Sequence, residues 1–149
     1  MITRLDPNPA NLCFGCGGAN PHGMRLVFER DDERRTIRGQ FRLGEEYSGG
    51  AGFIHGGIIA LLLDEAMGKL NRLSDVRAPT AELTIEYLKP VLVDAEITVE
   101  AFEAERNGRQ LFRRSEIRNS AGEILARGHG RFVAVNRDWS PAGKQAEQK

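Results

Sequence analysis

The sequence has no excess of either charge: 21 lysines and arginines face 21 aspartates and glutamates. Without a summed positive field there is no electrostatic drive toward a phosphate backbone, so nucleic acid is not expected as a partner. Long hydrophobic runs are missing as well. The longest, Ile58 to Leu63, falls far short of the ~20 residues of a membrane helix, and Met1 to Pro9 shows no apolar secretory core. A cytoplasmic protein that stays off membranes is the expectation. Cysteine is scarce, with only Cys13 and Cys16, spaced C-x-x-C. That spacing suits a redox pair or half of a zinc site, yet no second pair completes four ligands and no His-x-x-x-His occurs. Reduced structural thiols and no metal are therefore expected. Internal repeats and interdomain linkers are absent, and the only low-complexity stretch is the polar tail Ser140 to Lys149.

What is present suits one core. A chain of 149 residues, 40% hydrophobic and 28% charged, can bury enough apolar surface without disulfides. One domain is expected over 1–136, opened by a segment over 1–23 that carries the two cysteines and followed by a flexible tail over 137–149. From Arg34 to Leu43, Ile37, Phe41 and Leu43 alternate with Thr36, Arg38, Gln40 and Arg42, the pattern of a half-buried strand, with Met24 to Phe28 as its partner. After the glycine-rich stretch Gly44 to Gly52, an apolar run from Ile54 to Leu73 is too long for a strand and predicts the only substantial helix.

The period returns to two from Thr80, where Leu83, Ile85 and Tyr87 alternate with Glu82, Thr84 and Glu86 as far as Pro90. Further strands are predicted over Ala95 to Ala101, Arg109 to Arg118 and Glu123 to Val135. Asn107-Gly108 supplies a tight hairpin and Asn119 to Gly122 another turn, while Gly128 and Gly130 mark bending or close approach. One apolar helix flanked by antiparallel strands can hide its surface only inside a sheet that curls around it. The expected class is α+β, five to six antiparallel strands wrapped around one long central helix.

That helix carries the residues of interest. It opens His55-Gly56-Gly57, and glycine costs roughly 1 kcal/mol relative to alanine in a helix. Glycine at a helix start admits a carbonyl oxygen or an anion to unpaired backbone N–H groups, although two glycines can equally serve a tight entry from a loop. Asp64 stands among Leu61, Leu62, Leu63, Ala66 and Met67, where an unpaired charge is expensive. Counting outward from it in steps of three and four gives Gly57, Ala60, Leu61, Gly68 and Asn71, a face small enough for another backbone or a ligand to approach. Glu65 instead shares a face with Lys69 and is expected to be solvated. Seven residues put Gly57 and Asp64 on nearly one face but about 10 Å apart, so a single reacting group reaches both only if two helices pack antiparallel about a two-fold axis.

His55-Gly56-Gly57 followed by Leu62-Leu63-Asp64-Glu65-Ala66 resembles the hotdog-fold acyl-CoA thioesterases of the phenylacetate-pathway and 4-hydroxybenzoyl-CoA type. The resemblance spans roughly Cys13 to Val135. Cys13-Phe14-Gly15-Cys16-Gly17 with Asn20-Pro21-His22-Gly23 looks like a bacterial branch, and Thr80 to Thr84 leading into Tyr87-Leu88-Lys89-Pro90 looks like the strand after that family's helix. It implies that the Gly57 N–H receives the thioester carbonyl, that the partner subunit's Asp64 activates water or attacks, and that Thr80 helps place it. It further implies a CoA path beside His55, Gly56, Tyr87, Lys89, Pro90, Arg109, Gln110 and Arg113, with Lys89, Arg109 and Arg113 meeting phosphates. Each of those cations can equally be a solvated charge. The expected substrate is an acyl-CoA, the assembly a homodimer or homotetramer, and no cofactor is needed beyond the coenzyme A of the substrate. Relatives often carry an amide before the HGG histidine; here the loop reads Tyr47-Ser48-Gly49-Gly50, which leaves water positioning to Tyr47, Ser48 or Thr80. His55 falls opposite Asp64 on the helix and is expected to orient the loop. A non-catalytic acyl-CoA-binding protein and a hotdog hydratase or dehydratase are the competing readings.

Overall fold

The computed structural model describes residues 1–136, and the tail expected over 137–149 lies outside the described residues. Helix α1 runs Gly56–Lys69. It buries Ile59, Leu62, Leu63, Ala66 and Met67, the three- and four-residue spacing of a single apolar stripe. Each large member of that stripe contributes about 1.5–3 kcal/mol by leaving water. The helix starts two residues later than the apolar run because the Ile54 N–H donates to the Val91 carbonyl at 2.8 Å and His55 caps the first turn. At its far end Leu70 leads into a separate short helix α2, Asn71–Ser74, so the run through Leu73 is helical in two pieces.

Among the described residues seven strands enclose α1: β1 Ile2–Leu5, β2 Phe28–Asp31, β3 Thr36–Arg42, β4 Thr80–Tyr87, β5 Glu96–Asn107, β6 Gln110–Asn119 and β7 Ile124–Val133. They form one antiparallel sheet in the order β1-β2-β3-β5-β6-β7-β4. The expectation of five to six strands is corrected by β1, which has four residues, three of them exposed, and therefore no period-two signal. The partner expected at Met24 to Phe28 shifts to Phe28–Asp31. Met24 and Leu26 donate their N–H groups to the carbonyls of Phe14 and Gly15, at 2.8 and 2.9 Å, and so belong to the N-terminal segment.

The β5–β6 hairpin turns on Gly108-Arg109, between the paired Asn107 and Gln110. Only Gly108 has a positive φ, +62°, the place where a two-residue turn needs glycine at its first central position. The close approach expected at β7 is present: a Cβ added to Gly128 would lie 2.5 Å from Ser115 Oγ and 3.2 Å from Leu63 Cβ. Among the described residues no helix is long and apolar enough to cross a membrane. Among the described residues β4 is an edge strand of the sheet, and α1 packs against it.

Candidate active site

Thr80 opens β4 and donates its hydroxyl to Asp64 Oδ1 at 2.7 Å. Asp64 is half-buried on α1, and burial pushes its carboxyl above the usual aspartate range; the Thr80 hydrogen bond pulls the other way and the Glu65 charge adds to the rise. A carboxylate held in this state binds a proton more readily than one in water, which fits it for proton transfer near neutral pH. The other end of β4 is tied to the same helix: the Tyr87 hydroxyl donates to the Gly56 carbonyl at 2.8 Å.

At the start of α1, His55 Nδ1 accepts the Gly57 N–H at 2.8 Å while the His55 backbone N–H donates to the Tyr47 carbonyl at 2.9 Å. His55 thus orients the loop and caps the helix together. The expected oxyanion donor is therefore engaged, and a thioester oxygen reaches it only when the imidazole yields or shares the N–H. Beside it opens a hollow of about 580 Å³ bounded by Phe14, His22, Tyr47, Ser48, His55 and Gly57. Phe14 and His22 were named only within the N-terminal stretch of the resemblance and not as site residues, because no spacing links that segment to the start of α1.

The residues proposed to meet CoA do not converge within one chain. Lys89 follows β4, donates its backbone N–H to the Leu125 carbonyl and pairs with Glu123. Arg109 Nε donates to the Ala134 carbonyl at 3.0 Å, and Gln110 pairs with Val133. Leu125 and Ala134 are nine residues apart along β7, roughly 30 Å at ~3.3 Å per residue. Pro90 is exposed beyond β4. Arg113 is corrected outright. It is only 1% exposed, with Nε on Glu103 at 3.0 Å, Nη1 on the Met67 carbonyl and Asn71 Oδ1, and its guanidinium 4.7 Å over the Phe132 ring. A guanidinium committed to four internal partners in the core is a structural cation, not a phosphate ligand.

Glu65 also departs from its expected solvated pairing. It is half-buried and faces the N-terminal segment, where its Oε1 accepts from Cys13 Sγ at 3.4 Å. Both cysteines are free and half-buried. Burial, with the Glu65 charge, pushes the Cys16 thiol up to about 12. One ligand atom each from Cys13, Cys16 and Glu65 lie within 4.8 Å of one another. Glu65 was not foreseen as a third ligand, because helix counting cannot show which segment packs on it.

Residues 51–126 match the thioesterase superfamily, a span that holds Gly57, Asp64 and Thr80. The chain belongs to that superfamily. Its sheet wrapped about one helix is the hotdog fold. The structure resembles that of a solved thioesterase superfamily protein with a TM-score of 0.76 and 28% identity, covering 82% of this chain and 60% of that one. It also resembles smu.793 from Streptococcus mutans UA159, solved bound to acetyl CoA, at a TM-score of 0.65 and 17% identity, covering 68% of this chain and 82% of that one. In sequence it is similar to the acyl-coenzyme A thioesterase THEM4 of Bos taurus, 29% identical over 112 residues, 74% of this chain and 46% of that protein. The chain thus spans less than half the length of that thioesterase. The superfamily match leaves Cys13, Cys16 and His22 outside it.

Proposed function

We propose that this superfamily member hydrolyses acyl-CoA thioesters as a pair of chains, with Asp64 of one and Gly57 of the other acting on one carbonyl. The observation that carries the reading is the Asp64–Thr80 hydrogen bond at the open sheet edge. A carboxylate with a raised pKa, oriented by a fixed hydroxyl and placed where a second copy can arrive, is a general base awaiting its other half. Among the described residues no strand pairs with the outer side of β4, and half-buried Leu83 and Ile85 lie along it, a surface that natural sheets cover. Pairing two β4 strands antiparallel brings the Thr80 end of one beside the Tyr87 end of the other. It also brings Lys89 of one copy toward Arg109 of the other, which a single chain keeps apart.

In this mechanism Asp64 takes a proton from water as the water oxygen bonds to the thioester carbon. The Gly57 N–H stabilises the oxyanion, and collapse breaks the C–S bond with proton return to the CoA sulfur, leaving a free acid. Thr80 holds Oδ1, so Oδ2 is the oxygen that takes the proton. Similarity to THEM4 and to a structure solved with acetyl CoA supports the substrate class.

The test is CoA thiol release from short, long and aromatic acyl-CoA esters by the parent and Asp64→Asn. The parent turns over at least one class and the variant none, with its fold unchanged by circular dichroism. The occupied Gly57 N–H favours one other reading, binding without turnover. Saturable acyl-CoA binding with no thiol release by the parent would establish that reading and defeat hydrolysis.

A further inference from the structure

The N-terminal segment brings together a donor set that the proposed hydrolysis does not use. We propose that Cys13, Cys16 and Glu65 bind one thiophilic divalent cation, of the zinc type, with water in the fourth position. Two sulfurs and a carboxylate suit zinc rather than magnesium or calcium, which prefer oxygen alone. The three ligand atoms already lie within 4.8 Å of one another, and Cys13 Sγ to Glu65 Oε1 is 3.4 Å. Tetrahedral zinc with bonds of about 2.0–2.3 Å holds its ligand atoms roughly 3.5–3.8 Å apart, so closure needs movements of about an ångström.

The turn bearing the thiols is shaped to meet the carboxylate. Gly17 N–H closes on the Cys13 carbonyl at 2.9 Å, and the Asn11 side chain accepts the Cys13 N–H at 2.6 Å. A Cβ at Gly15 would lie 2.6 Å from Glu65 Cδ, and one at Gly17 would lie 2.3 Å from the Asn11 carbonyl oxygen. Position 17 thus requires glycine, since a Cβ there would meet backbone, while a side chain at Gly15 would displace the Glu65 carboxylate that the turn meets. Three deprotonated ligands carry one more negative charge than a divalent cation neutralises, and the nearby Lys69 ammonium, whose charge favours the Cys16 thiolate, supplies the balance. Phe14, between the cysteines, and His22 border the hollow next to Gly57. The cation therefore fastens one wall of that hollow to the residue adjoining Asp64.

The test uses the full chain, purified under reductant, stripped with chelator and titrated with cobalt(II), then with zinc. Expected are one cobalt per chain with sulfur-to-cobalt charge-transfer absorption, displacement by zinc, and protection of both thiols from alkylation. Cys13→Ser and Cys16→Ser lose the absorption. The isosteric Glu65→Gln weakens binding by at least the ~10–100-fold that loss of even an outer-shell partner costs, while the exposed control Glu45→Gln matches the parent. The proposal is overturned by absence of stoichiometric metal with both thiols reduced, by parent-like affinity in Glu65→Gln, or by recovery of a Cys13–Cys16 disulfide under reductant.

Discussion

Replacing Thr80 with valine removes one hydroxyl while keeping a branched side chain suited to the start of β4. The lost bond is 2.7 Å long and ends on a carboxylate oxygen. A hydrogen bond to a charged group contributes about 1.5–3 kcal/mol, and the solvent-exposed position of Thr80 argues for the lower end. At ~1.4 kcal/mol per factor of ten, kcat/KM for acyl-CoA hydrolysis should fall roughly tenfold. The pH profile should move as well. The Thr80 bond lowers the Asp64 pKa against burial and the Glu65 charge. Without it the carboxyl stays protonated to higher pH, and the acidic limb of the kcat/KM profile shifts toward neutral. Thr80→Ser, which keeps the hydroxyl, should preserve rate and profile. A thiol-release assay across the pH range decides the matter. A Thr80→Val profile superimposable on the parent's, or an equal loss in Thr80→Ser, would refute the role given to this bond.

Asp64→Asn should be inactive yet more stable than the parent near neutral pH. The folded-state pKa of Asp64 is raised, so the stability contributed by its protonated form is complete below the unfolded value and lost as pH rises through the folded one. The variant's advantage in urea unfolding should therefore fade on acidification toward the unfolded aspartate range; an advantage independent of pH contradicts the burial argument. Arg113→Ala should cost about 3–5 kcal/mol of stability in denaturant unfolding, because Glu103 and the Met67 carbonyl lose a buried cation. Arg113→Met, with similar packing, should keep the parent's KM for acyl-CoA; a several-fold rise would return Arg113 to the binding site.

Strands β4 to β7 were legible because each alternates over enough residues to show period two, and α1 because its apolar spacing exceeds strand length. The four residues of β1 are too few and too exposed for either signal. Arg113 was misplaced although its parity with the buried Leu111, Ser115 and Ile117 points inward; the CoA path implied by the resemblance overrode the period. Asp64 stood out because charge among leucines is costly and local. The Thr80 contact was implied only by resemblance, since sixteen residues of intervening chain hide which strand end meets which helix turn. The partners of Glu65 and the cap that His55 places on Gly57 arise from tertiary packing and a side-chain rotation that no spacing records.

A mixture of two inactive variants probes the shared site most directly. Asp64→Ala removes the base, and Gly57→Val shields the N–H, its Cβ meeting only the movable His55 ring at 3.0 Å. Refolded or exchanged together in equal amounts, half the dimers are mixed, and each mixed dimer carries one site with both groups intact, so about a quarter of parental thioesterase activity should return. If the mixture stays as inactive as its components while size measurements show mixed dimers, Asp64 and Gly57 of different chains do not act on one thioester.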